Sequence, residues 1–164
     1  MILCVSNLIF LTGIFGLQAS QAYFAAYILG PPQNVAKMAA GTPLSDAERE
    51  PWLREISQRI NLTEGNQVIT CSALRRRYRD ILRTADARVR FLHLSGSRDV
   101  LGSRLGGRTD HFMPSSLLAS QLDTLEPLGP YEDGVSVDIR STQADILARA
   151  LQALNLDARP LLRT

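Results

Sequence analysis

Short β-rich runs that alternate with helix-patterned stretches constrain this chain more tightly than any other feature. QVITC at 67–71, RFLHLSG at 90–96 and VSVDI at 135–139 are apolar and rich in β-branched or aromatic residues, and each precedes a segment with helical spacing. Strands separated by helices pair in parallel through crossovers, so the pattern predicts an α/β fold, a doubly wound parallel sheet flanked by helices. A length of 164 residues suits one such domain.

The N-terminus needs its own account, because no charged side chain occurs from Met1 through Ala36. Three readings stand for this segment. MILCVSNLIFLTGIFGL followed by Ser20-Gln21-Ala22 resembles a signal sequence with a small-x-small cleavage site, although no Lys or Arg opens it. A membrane anchor is the second reading, with Ser6, Asn7, Thr12 and Gln18 interrupting the apolar run short of the ~20 residues a span needs. The third is a buried strand, LIFLT, turning at Gly13 and Gly16 into a helix QASQAYFAAYIL.

Further along, QNVAKMAAG reads as a short helix closed by Gly41. Ser45 and Glu48 form a capping box, and the helix behind it buries Trp52, Leu53, Ile56 and Ile60, with a kink or break expected at Pro51. Ser97 opens a helix through Leu105, SSLLASQLDTL is another, LEPLGPYEDG is a surface loop, and STQADILARALQAL closes the fold.

Charge and cysteine usage exclude several classes. A net charge of +2 lacks the concentrated basic face of a nucleic-acid binder, and Cys4, Cys71, His93 and His111 are too few and too scattered for a metal cluster, so neither nucleic acid nor a structural metal is expected. The cations are almost all arginine, with Lys37 the single lysine. Arginine's planar fork suits carboxylate and phosphate, although a GC-rich genome gives the same bias. In CSALRRRYRD a helix starting near Ala73 would bury Leu74, Tyr78, Ile81 and Leu82, pair Arg76 with Asp80, and align Arg75, Arg79 and Arg83 along one edge. That ladder reads either as a solvated basic face or as an anion site at the carboxyl end of a parallel strand. Arg104 and Arg108 flank Gly106 and Gly107, which fits a lid over phosphate or an exposed loop.

The motifs NVAKMAAGTPLSD at 34–46, REPWL at 49–53, CSALRRRYRD at 71–80, FLHLSGS, RTDHFMP and SQLDTLEP at 120–127 together resemble the gluconokinases of the thermoresistant type. The resemblance spans about Pro31 to Leu154. It implies a P-loop kinase-like three-layer fold with a small lid, transfer of the ATP γ-phosphoryl to the 6-hydroxyl of D-gluconate with Mg²⁺, a cytoplasmic setting and a homodimer. It also implies sugar-acid contacts from Asn34, Lys37, Arg49, Ser72, Arg75 and Arg79, and ATP contacts from the lid arginines Arg104 and Arg108. Arg75 stands where the family usually has lysine, and Asp110 where it usually has glycine.

Upstream of Pro31 the pattern departs from the family, which sets residues 1–30 apart from a body of 31–164 within a single domain. The family's strand-GVSGSGKS-helix is matched best by GIFGLQAS, which keeps Gly13, Gly16 and Ser20 for the phosphates but has Gln18 for a glycine and Ala19 for the lysine. AAYILGP replaces the family's acidic D-x-D-x-x-H-P. Phosphoryl transfer depends on positioning and charge stabilisation, so a second reading is a protein that binds a sugar acid without ATP.

Overall fold

The computed structural model describes residues 2–6, 32–62, 67–106 and 117–156. Among the described residues four strands form one sheet: β1 (Ile2–Ser6), β2 (Gln67–Cys71), β3 (Val89–Ser95) and β4 (Gly134–Asp138), in the order β2-β1-β3-β4 with every pair parallel. Six helices accompany them among those residues: α1 (Pro32–Ala39), α2 (Asp46–Leu62), α3 (Arg76–Leu82), α4 (Arg98–Gly106), α5 (Leu117–Thr124) and α6 (Gln143–Ala153).

The alternation of side chains along β3 makes the layers. Val89 and Phe91 point to one face, where Trp52, Leu53, Ile56 and Ile60 of α2 and Tyr78 and Leu82 of α3 cover them. Leu92 and Leu94 point to the other, against Leu101 of α4, Leu118 of α5 and Ile146 and Ala150 of α6. A sheet covered on both faces explains why its strands read as apolar runs. Gly134 opens β4 where the chain passes so close to Phe91 that a Cβ would sit 2.8 Å from that residue's carbonyl oxygen. Among the described residues, no helix is long and apolar enough to cross a membrane.

The first strand is displaced from its expected position. Ile2–Ser6, not LIFLT, forms it, and it lies at the centre of the sheet with Cys4 opposite Ile69 on one side and Phe91 on the other. The boundary drawn at residue 30 therefore does not separate these five residues from the sheet. LIFLT and the helix expected from Gln18 onward fall outside the described residues.

Two helices also differ in detail. α2 runs unbroken through Pro51. Proline leaves the Ala47 carbonyl without its helical partner, but both residues are exposed, so that oxygen is not buried unsatisfied. α3 starts at Arg76 rather than near Ala73, with Arg75 extended at its cap. The Leu74 carbonyl, which would accept the first helical bond, instead takes the Glu126 N–H at 2.8 Å. The Ser45–Glu48 cap forms through the glutamate, whose carboxylate accepts the Ser45 N–H at 2.7 Å and its hydroxyl at 2.6 Å.

Candidate sugar-acid site

The carboxyl end of β2 delivers Ser72 and Arg75 to a region already lined by α1 and the first turn of α2. α1 is fastened there by Asn34, whose amide donates to the Glu48 carbonyl at 3.3 Å, and by Lys37, whose ammonium lies 2.8 Å from both Glu48 carboxylate oxygens. Hydrogen bonds from Lys37 and Ser45 hold the Glu48 carboxyl well down, from its ordinary 4.5 to about 2. On the other side, Asp46 at the start of α2 accepts from Arg75 at 3.2 Å and also from Arg77 and the Tyr78 hydroxyl.

Arg49 stands in the middle of this frame. Its guanidinium carbon lies 5.8 Å from the centre of the Tyr78 ring, and its Nε donates to the Leu44 carbonyl at 3.3 Å. The side chain is buried, with 6% of the residue exposed, and among the described residues no carboxylate pairs with it. Burial pulls its pKa down and Arg75 adds to that shift, while Tyr78, Cys71 and the Glu48 carboxylate oppose it. Arginine nevertheless stays a cation at any physiological pH, so this is a desolvated positive charge with no carboxylate in direct contact among the described residues. Ser72, also buried, follows directly on the end of the same strand.

Arg79 departs from its expected place among the substrate contacts. Among the described residues it is the other buried arginine, and all its nitrogens are committed within the protein: Nε and Nη2 to the Glu132 carboxylate at 2.6 and 3.0 Å, Nη1 to the carbonyls of Ala73, Leu74 and Glu126, and Nη2 to that of Pro127. No N–H is left for a ligand. The expected ladder of Arg75, Arg79 and Arg83 is therefore dispersed, to Asp46, Glu132 and Asp80 in turn. The Arg76–Asp80 pair forms at 3.9 Å.

Arg104 sits on α4 and donates to the Ser141 carbonyl, just beyond the carboxyl end of β4. Arg108, Gly13, Gly16 and Ser20 lie outside the described residues. β1 ends at Ser6, so a phosphate loop that directly follows the first strand would begin at Asn7, well ahead of Gly13. Among the described residues, no group of three His, Cys, Asp or Glu side chains could hold a metal ion.

Asp46 and Glu132 escaped the sequence reading. Asp46 closed the 34–46 motif and stood in a first helical turn, but nothing local marked its partners, which are 29 to 32 positions away. Glu132 lay in what read as a surface loop, and nothing local marks it as the counter-ion of a helix residue 53 positions earlier.

No protein-family model matches the chain. Individual relatives do. It is 35% identical over 141 residues to the thermoresistant gluconokinase of Escherichia coli, covering 84% of this chain and 81% of that one. It is 46% identical over 113 residues to a gluconokinase of Gluconobacter oxydans, covering 66% and 63% of the two chains. Among solved structures it superposes on an unliganded sugar kinase from Janibacter with a TM-score of 0.80 at 35% identity, covering 99% of this chain and 97% of the other. A gluconokinase from Sinorhizobium meliloti matches with a TM-score of 0.75 at 37% identity, covering 94% and 90%. The fold is the parallel α/β class expected from the strand and helix order and of the P-loop kinase type that the motif resemblance implies, and the chain belongs to the gluconokinase family.

Proposed function

We propose that this chain phosphorylates D-gluconate on its 6-hydroxyl with ATP and Mg²⁺. The observation that carries the substrate half is Arg49, a buried cation near the carboxyl end of β2 that no carboxylate among the described residues pairs with. A sugar acid supplies the missing counter-ion, and a neutral sugar does not. Arg49 takes the carboxylate through its two Nη groups, with Arg75 reinforcing the charge. Ser72 and Asn34 offer hydrogen bonds to sugar hydroxyls, while Lys37, held by Glu48, keeps α1 against the site.

The phosphate half rests on fewer residues. When bound, ATP would supply the phosphoryl group and Mg²⁺ would neutralise its oxygens. Lys37 is the chain's only lysine and is engaged with Glu48, so positive charge on the phosphates falls to Arg104 and Arg108, with Gly13, Gly16 and Ser20 the candidates for backbone and hydroxyl contacts. The same reading takes the enzyme to be a cytoplasmic homodimer, which cell fractionation and light scattering would check.

A coupled assay for 6-phosphogluconate tests the reading. ADP release that depends on gluconate is expected. Gluconate binding without turnover would reduce the protein to a sugar-acid binder, for which the comparisons give no support, and neither binding nor turnover would remove the reading altogether.

A further inference from the structure

We infer that Arg79 and Glu132 form a positioning pair for the sugar-acid site, fixing the Ser72–Arg75 segment from behind without touching substrate. The inference rests on the reading of that site as a gluconate pocket. Its basis is how the bonds are distributed. A buried ion pair that served only to fill the core would need the Glu132 contacts alone, whereas Arg79 also holds the carbonyls of Ala73 and Leu74 at 3.2 Å each. Those two residues lie between Ser72 and Arg75, the groups offered to the ligand from the end of β2. On its far side the same guanidinium holds Glu126 and Pro127 by their carbonyls, at 3.1 and 3.2 Å.

Glu132 is anchored in turn. Its carboxylate accepts the Gly129 N–H at 2.7 Å, closing a turn in which the Glu132 N–H returns to the Gly129 carbonyl at 3.1 Å. Glu126 adds two direct ties to the same segment, its N–H to the Leu74 carbonyl at 2.8 Å and its carboxylate to the Arg76 N–H at 2.7 Å. The stretch 126–132 thus acts as a backing strap. It holds residues 73–75 out of the helix that their sequence favours, and so points Ser72 and Arg75 at the ligand.

The test uses the double variant Arg79→Met/Glu132→Met in the full chain. Replacing a buried ion pair with apolar side chains of similar volume keeps the packing, but here it also leaves the Ala73, Glu126 and Pro127 carbonyls and the Gly129 N–H without their partners, so binding is read under conditions where unfolding curves show the variant folded. The expected result is a lowered unfolding midpoint, a gluconate Kd and KM raised by about tenfold or more through misplaced ligands, an unchanged KM for ATP, and faster amide exchange at residues 74–76. If the double variant does not fold, Arg79→Lys carries the same readout, because it keeps the charge beside Glu132 and loses the fork on the carbonyls. A folded variant that binds gluconate like the parent overturns the inference. Failure of the parent itself to bind gluconate would instead overturn the pocket, and the inference with it.

Discussion

Replacing Arg49 by methionine should move binding and stability in opposite directions, an outcome that a residue with a purely structural role does not give. Two charge-assisted hydrogen bonds from the fork to a carboxylate are each worth roughly 1.5 to 3 kcal/mol. Losing both costs at least about 3 kcal/mol, or a gluconate Kd more than about 100-fold weaker. For folding, the variant loses the Nε bond to Leu44, about 1 kcal/mol, and the stacking on Tyr78, about 0.5 to 1 kcal/mol. Against these stands relief from a buried charge that no carboxylate among the described residues contacts directly, whose effective penalty is several kcal/mol. Denaturant unfolding should therefore show a midpoint equal to or above the parent's, while calorimetry shows gluconate binding lost. Normal binding, or a destabilisation beyond about 3 kcal/mol of the kind that follows breaking an internal pair, would refute the reasoning.

Three further outcomes follow from other parts of the fold. Glu48→Gln should flatten the acid limb of stability between pH 4.5 and about 2: the folded carboxylate resists protonation that the unfolded one accepts, so its contribution is full above 4.5 and is lost as pH falls toward 2. A slope remains from Asp133 and Asp138, whose carboxyls are also held low by arginines, and unfolding curves taken across that range check the difference. Gly134→Ala should destabilise by about 2 kcal/mol or more, because its Cβ meets the backbone of the neighbouring strand, and thermal unfolding reads this directly. Pro51→Ala, on the exposed face of α2, should restore one helical hydrogen bond and raise stability by about 1 kcal/mol with gluconate affinity unchanged, as paired unfolding and calorimetry would show.

What was legible in the sequence is what local patterning encodes. QVITC coincides with β2, and the Trp52, Leu53, Ile56 and Ile60 stripe is the buried face of α2, because side-chain period and burial are the same fact. The first strand was misplaced because residues 1–36 carry no charge, so polarity does not mark where a strand ends. Pairing on both sides, not composition, selects Ile2–Ser6. In the site, Arg49 and Ser72 could be singled out from motifs, but the role of Arg79 could not. Arg75 and Arg79 look equivalent along the chain, and only Asp46 and Glu132, distant in sequence, separate a surface cation from one enclosed in the core.

The most direct test of the account is a structure of this protein with D-gluconate bound. The carboxylate should lie about 3 Å from the Arg49 Nη atoms, with a hydroxyl reaching Ser72 and with Arg79 still on Glu132. Gluconate found away from the end of β2, or an Arg79 swung out to meet it, would contradict both the pocket and the division of labour between the two buried arginines.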